Sequence, residues 1–132
     1  MTATIKSYSE YKEYLKTECP YIYQECKSYY EKDEINEIYE MLCSFFYECY
    51  KRDLEVEFKF GEVYIKSKHY DQWKFTPCFG KITLMHKNPF PCKVGEYHTQ
   101  FIQKISMKKL AIYIDEHDRA KYTSEFVHFS VS

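Results

Sequence analysis

The pattern of this chain predicts an α+β fold, with N-terminal helices packed on one face of an antiparallel β-sheet. Two observations carry that expectation. Up to about Arg52, apolar residues recur every three or four positions, the period of an amphipathic helix. From Leu54 onward they alternate, the period of a half-buried strand. Helices grouped first and strands second argue for α+β rather than for a parallel α/β sheet. With 132 residues the chain is one domain by size. It divides into a helical part, residues 1–52, and a mainly antiparallel sheet, residues 53–132.

The first helix is expected around Tyr8, Tyr11 and Leu15, with charged residues between them. Pro20 ends or kinks it, because proline disfavours helical geometry at the preceding residue. Tyr21 to Tyr30 resumes a helix, with Ile22, Cys26 and Tyr29 on one face. Asp33 is the expected N-cap of the next helix, with Glu34 and Glu37 placed well for the helix dipole. That helix has the clearest pattern. Ile35, Ile38, Tyr39, Leu42, Cys43, Phe46, Cys49 and Tyr50 form a continuous apolar stripe, widened by Phe45.

Leu54, Val56, Phe58 and Phe60 then alternate with Glu55, Glu57 and Lys59, as in a strand with one wet face. Gly61-Glu62 reads as a tight turn, and Val63–Lys68 returns as the partner strand. Gln72–Phe75 and Lys81–His86 are the third and fourth strands, and Asn88–Pro91 is a rigid loop. Tyr97, Phe101, Ile102 and Ile105 have helical spacing. Leu110–Ile114 reads as a strand, Asp115–Arg119 as a polar turn, and Phe126–Val131 as a last strand.

Composition narrows the function classes. A hydrophobic content of 45%, with 20% aromatic residues, supplies a core and excludes intrinsic disorder. The net charge of −1 argues against a protein whose whole surface neutralises phosphates. It leaves room for a local basic face. No apolar run resembles a leader or a membrane span, so the expectation is a cytoplasmic protein with no membrane partner. Asparagine occurs only at Asn36 and Asn88, beside abundant Lys and Glu. Few amides and many ion-pairing residues is the composition of heat-adapted proteins, and points to a thermophile or to a virus of one.

Six cysteines lack metal-finger spacing. Cys78 and Cys92, each beside a proline, are the disulfide candidates. No family signature is recognised, no phosphate-cradling glycine loop is present, and no cofactor is implied.

Two segments hold residues suited to chemistry. Tyr64, Lys66, Lys68, His69, Tyr70, Trp73 and Lys74 interleave cations with aromatics, the combination that holds single-stranded nucleic acid. The plainer alternative is a hairpin whose lysines face water and whose rings join the core. Asp115, Glu116, His117 and Asp118 are the densest group of metal-ligand side chains and weak candidates for a cation site, with a solvated turn as the plainer alternative.

Together these features give the expected function: a small, intracellular, non-enzymatic interaction protein, encoded by a virus or mobile element, that modulates a host protein. The alternatives are a single-stranded nucleic-acid-binding module using residues 64–74 and, third, a metal-dependent nuclease using residues 115–118. An open sheet edge at Phe126–Val131 adds the expectation of a homodimer.

Overall fold

The computed structural model describes residues 5–69, 71–87 and 96–131, with side chains up to residue 120. Its elements are α1 (Tyr8–Glu18), α2 (Tyr21–Tyr29), α3 (Ile35–Lys51), β1 (Glu55–Lys59), β2 (Glu62–Lys66), β3 (Gln72–Phe75), β4 (Ile82–Lys87), β5 (His98–Gln103) and α4 (Met107–Val131). The strands form one antiparallel meander in the order β1-β2-β3-β4-β5. This is the expected α+β fold, with a long C-terminal helix added.

Ser7 starts α1 by accepting a hydrogen bond from the Glu10 N–H, while the Glu10 carboxylate accepts from the Lys6 N–H at 3.0 Å. Such caps satisfy donors that the first helical turn leaves unpaired. Pro20 separates α1 from α2, as its ring geometry requires. Glu34, not Asp33, occupies the N-cap of α3 and makes no side-chain cap bond. The α3 stripe is buried as its period predicts, with Ile38, Leu42, Cys43, Phe45, Phe46 and Cys49 all in the core. Tyrosine rings pack α1 onto α3: Tyr11 lies 5.5 Å from Tyr47 and 5.0 Å from Tyr50 between ring centroids.

The sheet buries one face. Phe58, Val63, Ile65, Trp73, Phe75, Ile82 and Leu84 all point to the helices. Phe45 of α3 meets Phe75 edge-on at 5.0 Å. The β1–β2 turn is a two-residue hairpin, since Lys59 pairs with Glu62. Phe60 and Gly61 both have left-handed φ, +57° and +74°, as a type I′ turn requires. Turn geometry therefore removes Phe60 from the core face expected of it and leaves it 70% exposed. At Gly61 an added Cβ would stand 3.1 Å from the Tyr29 ring, so both φ and space favour glycine there.

The region after residue 96 departs from the sequence expectation. Residues 98–103 are strand β5, not helix, because pairing with β4 satisfies their backbone and Thr99, Phe101 and Ile102 suit a pleated surface. Residues 107–131 are one helix, not two strands around a turn. Met107, Leu110, Ala111 and Ile114 recur at helical spacing and are buried, and Ser106 Oγ accepts from the Lys109 N–H at 3.2 Å to start the helix. A short apolar run such as Leu110–Ile114 fits either period, and packing decided it. Phe126–Val131 is consequently helical, so the edge strand on which a homodimer was expected is not there. Asn88–Pro91 lies outside the described residues.

Among the described residues there is no disulfide. Cys78 is a free thiol whose Sγ donates to the Lys81 carbonyl at 3.2 Å, and Cys92 lies outside the described residues. Burial pushes the Cys26 thiol up to about 12 and raises those of Cys43 and Cys49. No helix among the described residues is long and apolar enough to cross a membrane. Glu48 is the charged link of α3: burial raises its carboxyl, but hydrogen bonds from Arg52, at 2.7 Å, and from Lys51 outweigh it and hold the carboxyl below the usual carboxylate range.

Two predictions follow from these side chains. Site-resolved alkylation of the native protein near pH 8 should modify Cys78 well before Cys26, Cys43 and Cys49, because the thiolate is the reactive form. Equal labelling of all four would refute the burial assigned to them. Glu48 has a depressed folded pKa, so it stabilises the fold above its unfolded value and that stability is lost as pH falls through the folded value. Glu48→Gln should therefore cost about 1 kcal/mol in urea unfolding at pH 7 and much less near pH 3. A gap that does not narrow with acid would show that the ion pairs contribute nothing.

Candidate metal centre

The antiparallel order puts the starts of β3 and β5 and the end of β4 at one end of the sheet. Alternation along β4, and along β3 carried back one residue before its start, places two polar residues in core phase. Asp71 is in phase with Trp73 and Phe75, and His86 with Ile82 and Leu84. Both are buried, Asp71 at 0% and His86 at 3% exposure. His86 Nε2 lies 3.1 Å from Asp71 Oδ2.

Helix α4 supplies a third group from above. His117 follows Ile114 by three residues, so it continues the helix's inward face as the apolar stripe ends. Its ring meets Trp73 edge-on at 4.9 Å and His86 at 5.0 Å. Asp71, His86 and His117 each present a ligand atom within 4.8 Å of the others. The Trp73 indole Nε1 beside them is buried and has no hydrogen-bond acceptor among the described residues. A buried donor of that kind calls for an oxygen close by.

His98 of β5 completes the constellation from the solvent side. Its register partner is His86, and its Nε2 stands 3.3 Å from His86 Nδ1 and 3.3 Å from Gln100 Oε1. One tautomer pattern satisfies all three contacts. His98 Nε2–H is shared between Gln100 Oε1 and His86 Nδ1, and His86 Nε2–H donates to Asp71. The pattern can also reverse: with the His86 Nε2 lone pair on a cation, Nδ1–H donates to His98 instead. Ligating histidines are commonly oriented by such a bond from their second nitrogen.

Asp118 holds α4 in place above the sheet. It is 1% exposed and accepts from Ser67 Oγ at 2.8 Å, from the His69 N–H at 3.3 Å, and from His69 Nδ1 at 2.7 Å. The β2–β3 connection, which carries Asp71, is thereby tied to the helical turn that carries His117.

The four residues 115–118 do not converge, because one helical turn sends them in different directions. Asp115 pairs with Arg119 at 3.1 Å, Glu116 is exposed, Asp118 is committed to Ser67 and His69, and His117 alone reaches the centre. The basic-aromatic segment divides likewise. Tyr64, Lys66 and Lys74 share the open face of the sheet. Trp73 points the opposite way and is fully buried, so it cannot stack a base. Lys68 is exposed in the β2–β3 turn, His69 faces Asp118, and Tyr70 lies outside the described residues. Sequence reasoning passed over Asp71 and His86, although both occupy core-phase positions of their strands, where a polar residue needs a partner.

Comparison with protein-family models, with curated proteins and with solved structures found no match.

The Asp118 anchor makes a testable demand. Asp118→Ala removes the shorter of the two acceptors of the buried Ser67 hydroxyl, leaving the Asp71 carbonyl at 3.3 Å, together with the acceptor of His69, and should lower stability to urea by about 2 kcal/mol. A loss under about 0.5 kcal/mol would mean that Asp118 does not hold α4 to the β2–β3 connection.

Proposed function

We propose that this protein binds one first-row divalent transition-metal ion through Asp71, His86 and His117. The convergence of their ligand atoms to within 4.8 Å, from three separate elements, carries this reading. Tetrahedral sites with bonds of about 2.0–2.2 Å set neighbouring ligand atoms roughly 3.3 Å apart. The Asp71–His86 separation of 3.1 Å is already close to that value.

The donor set favours Zn²⁺, Fe²⁺ or Co²⁺ over Mg²⁺ and Ca²⁺, which take oxygen ligands. Three protein ligands leave at least one coordination position for water, the arrangement of catalytic rather than closed structural sites. The reading of residues 115–118 as a nuclease centre has no comparable support, since those acids diverge. A protein partner has weaker support, in the exposed rings of Phe60 and Phe79 at the far end of the sheet.

Titration of metal-stripped protein with Co²⁺ at about pH 8 tests the proposal, since cobalt reports its own coordination by visible absorption. The expected result is one ion per chain with tetrahedral or five-coordinate bands. Asp71→Asn or His86→Gln should weaken it about 100-fold. Circular dichroism of the metal-free variants separates loss of ligation from loss of fold. Absence of any band in folded wild-type protein, or equal affinity in folded Asp71→Asn/His86→Gln, would reject the site.

A further inference from the structure

The open face of the sheet lies opposite the helices and the Asp71–His86–His117 group, and what it offers is independent of any metal. Its residues follow from the register. Across β1 to β4 one row reads Glu57, Tyr64, Lys74, Met85, and the next reads Glu55, Lys66, Gln72, Lys87. Acids sit on the edge strand β1 and, as Glu62, beside the hairpin turn. The central strands β2, β3 and β4 carry Lys66, Lys74 and Lys87 on the same side.

Two tyrosine rings lie among these cations. Tyr97 has the Lys74 ammonium 4.7 Å and the Lys87 ammonium 5.1 Å from its ring centre, and Tyr64 has Lys59 at 5.3 Å. The Tyr64 hydroxyl is fixed by donation to Glu62 at 2.7 Å, and that bond, with burial and the Glu62 charge, pushes its pKa up to about 12. Glu62 is also 3.8 Å from Lys74, so this carboxylate is shared between the Tyr64 hydroxyl and a central lysine. Tyr64 and Tyr97 line one groove together with Lys59, Lys66 and Gln72, and Glu55 and Glu57 of β1 line its other side.

We propose that this face binds single-stranded nucleic acid, with Tyr64 and Tyr97 as stacking platforms and Lys66, Lys74 and Lys87 as phosphate partners. Lysines spaced across neighbouring strands follow a flexible polyanion, and the rings between them match the unpaired base faces that only a single strand presents. Two of these tyrosine–lysine contacts replace the aromatic role expected of Trp73. The acids on β1 bound the path and direct the strand across β2, β3 and β4. A simple anion, or an acidic peptide, would use the lysines but gain nothing from Tyr97.

Fluorescence anisotropy with labelled oligo(dT) and oligo(U) tests this, on EDTA-treated protein so that no metal bridge contributes. At low salt, wild-type protein should bind, and a tenfold rise in salt should weaken binding roughly 100-fold if about three phosphates are neutralised. Tyr97→Ala should weaken it roughly tenfold at constant salt, and Lys66→Ala/Lys87→Ala should also flatten the salt dependence. Both variants change surface positions, and their thermal midpoints check that the fold persists. No binding at low salt would overturn the proposal. So would full affinity in Tyr97→Ala, or equal competition by polyglutamate, either of which would mark a generic anion surface.

Discussion

Hydrophobic burial in the sheet runs through a single face, and the rest of the molecule is arranged around that constraint. Side chains of a strand alternate, so covering one side with helices sorts every residue of β1 to β4 into buried or wet by parity alone. Phe58, Val63, Ile65, Trp73, Phe75, Ile82 and Leu84 take the covered side, where Phe75 meets Phe45 of α3 and Trp73 meets Tyr113 and His117 of α4. A one-residue slip in any strand would exchange this set for lysines and glutamates, so burial fixes the register firmly. Burying apolar area at about 25 cal/mol per Å² makes these large side chains the dominant favourable term of the fold.

The same constraint forces Asp71 and His86 inward, where a lone charge or imidazole would be costly. Each therefore has partners: Asp71 with His86, His86 with His98, and Asp118 with Ser67 and His69. Apolar residues of similar size would satisfy the packing at these positions as well or better. Polar groups from the β2–β3 connection, β4, β5 and α4 meet at one end of the sheet. Among the described residues, the opposite end, with Phe60 and Phe79 in its turns, has no comparable group. The open face has its own logic, because a wet sheet surface needs polar residues but does not need tyrosine rings set between lysine ammonium groups.

Much of the fold was legible in the residues themselves. The α3 stripe, the kink at Pro20, and the alternation from Leu54 through His86 are local patterns whose periods differ, and each formed the element that its period implies. Local signals failed where two periods fitted the same residues. Leu110–Ile114 satisfied both strand and helix, and packing against α3 settled it. Residues 98–103 had helical spacing, yet β4 offered a free edge that only a strand could satisfy. Phe60 followed the alternation of β1 but fell in a turn whose two positive φ values belong to the hairpin, not to the residue.

The candidate site divides in the same way. Parity along β3 and β4 marks Asp71 and His86 as polar residues in core phase, and that is a property of the sequence. Which polar residues meet is not, because Asp71, His86, His98 and His117 are distant in the chain and come together only when the meander and α4 have closed. Residues 115–118 looked like a cluster because they are adjacent, but a helix turns each by about 100° from the last and separates them. Composition and periodicity thus determined the fold class, the helical stripe and the strand faces. The register of β5, the course of α4 and the convergence of the histidines were decided by tertiary packing, since contacts between residues far apart in sequence leave no mark on local pattern.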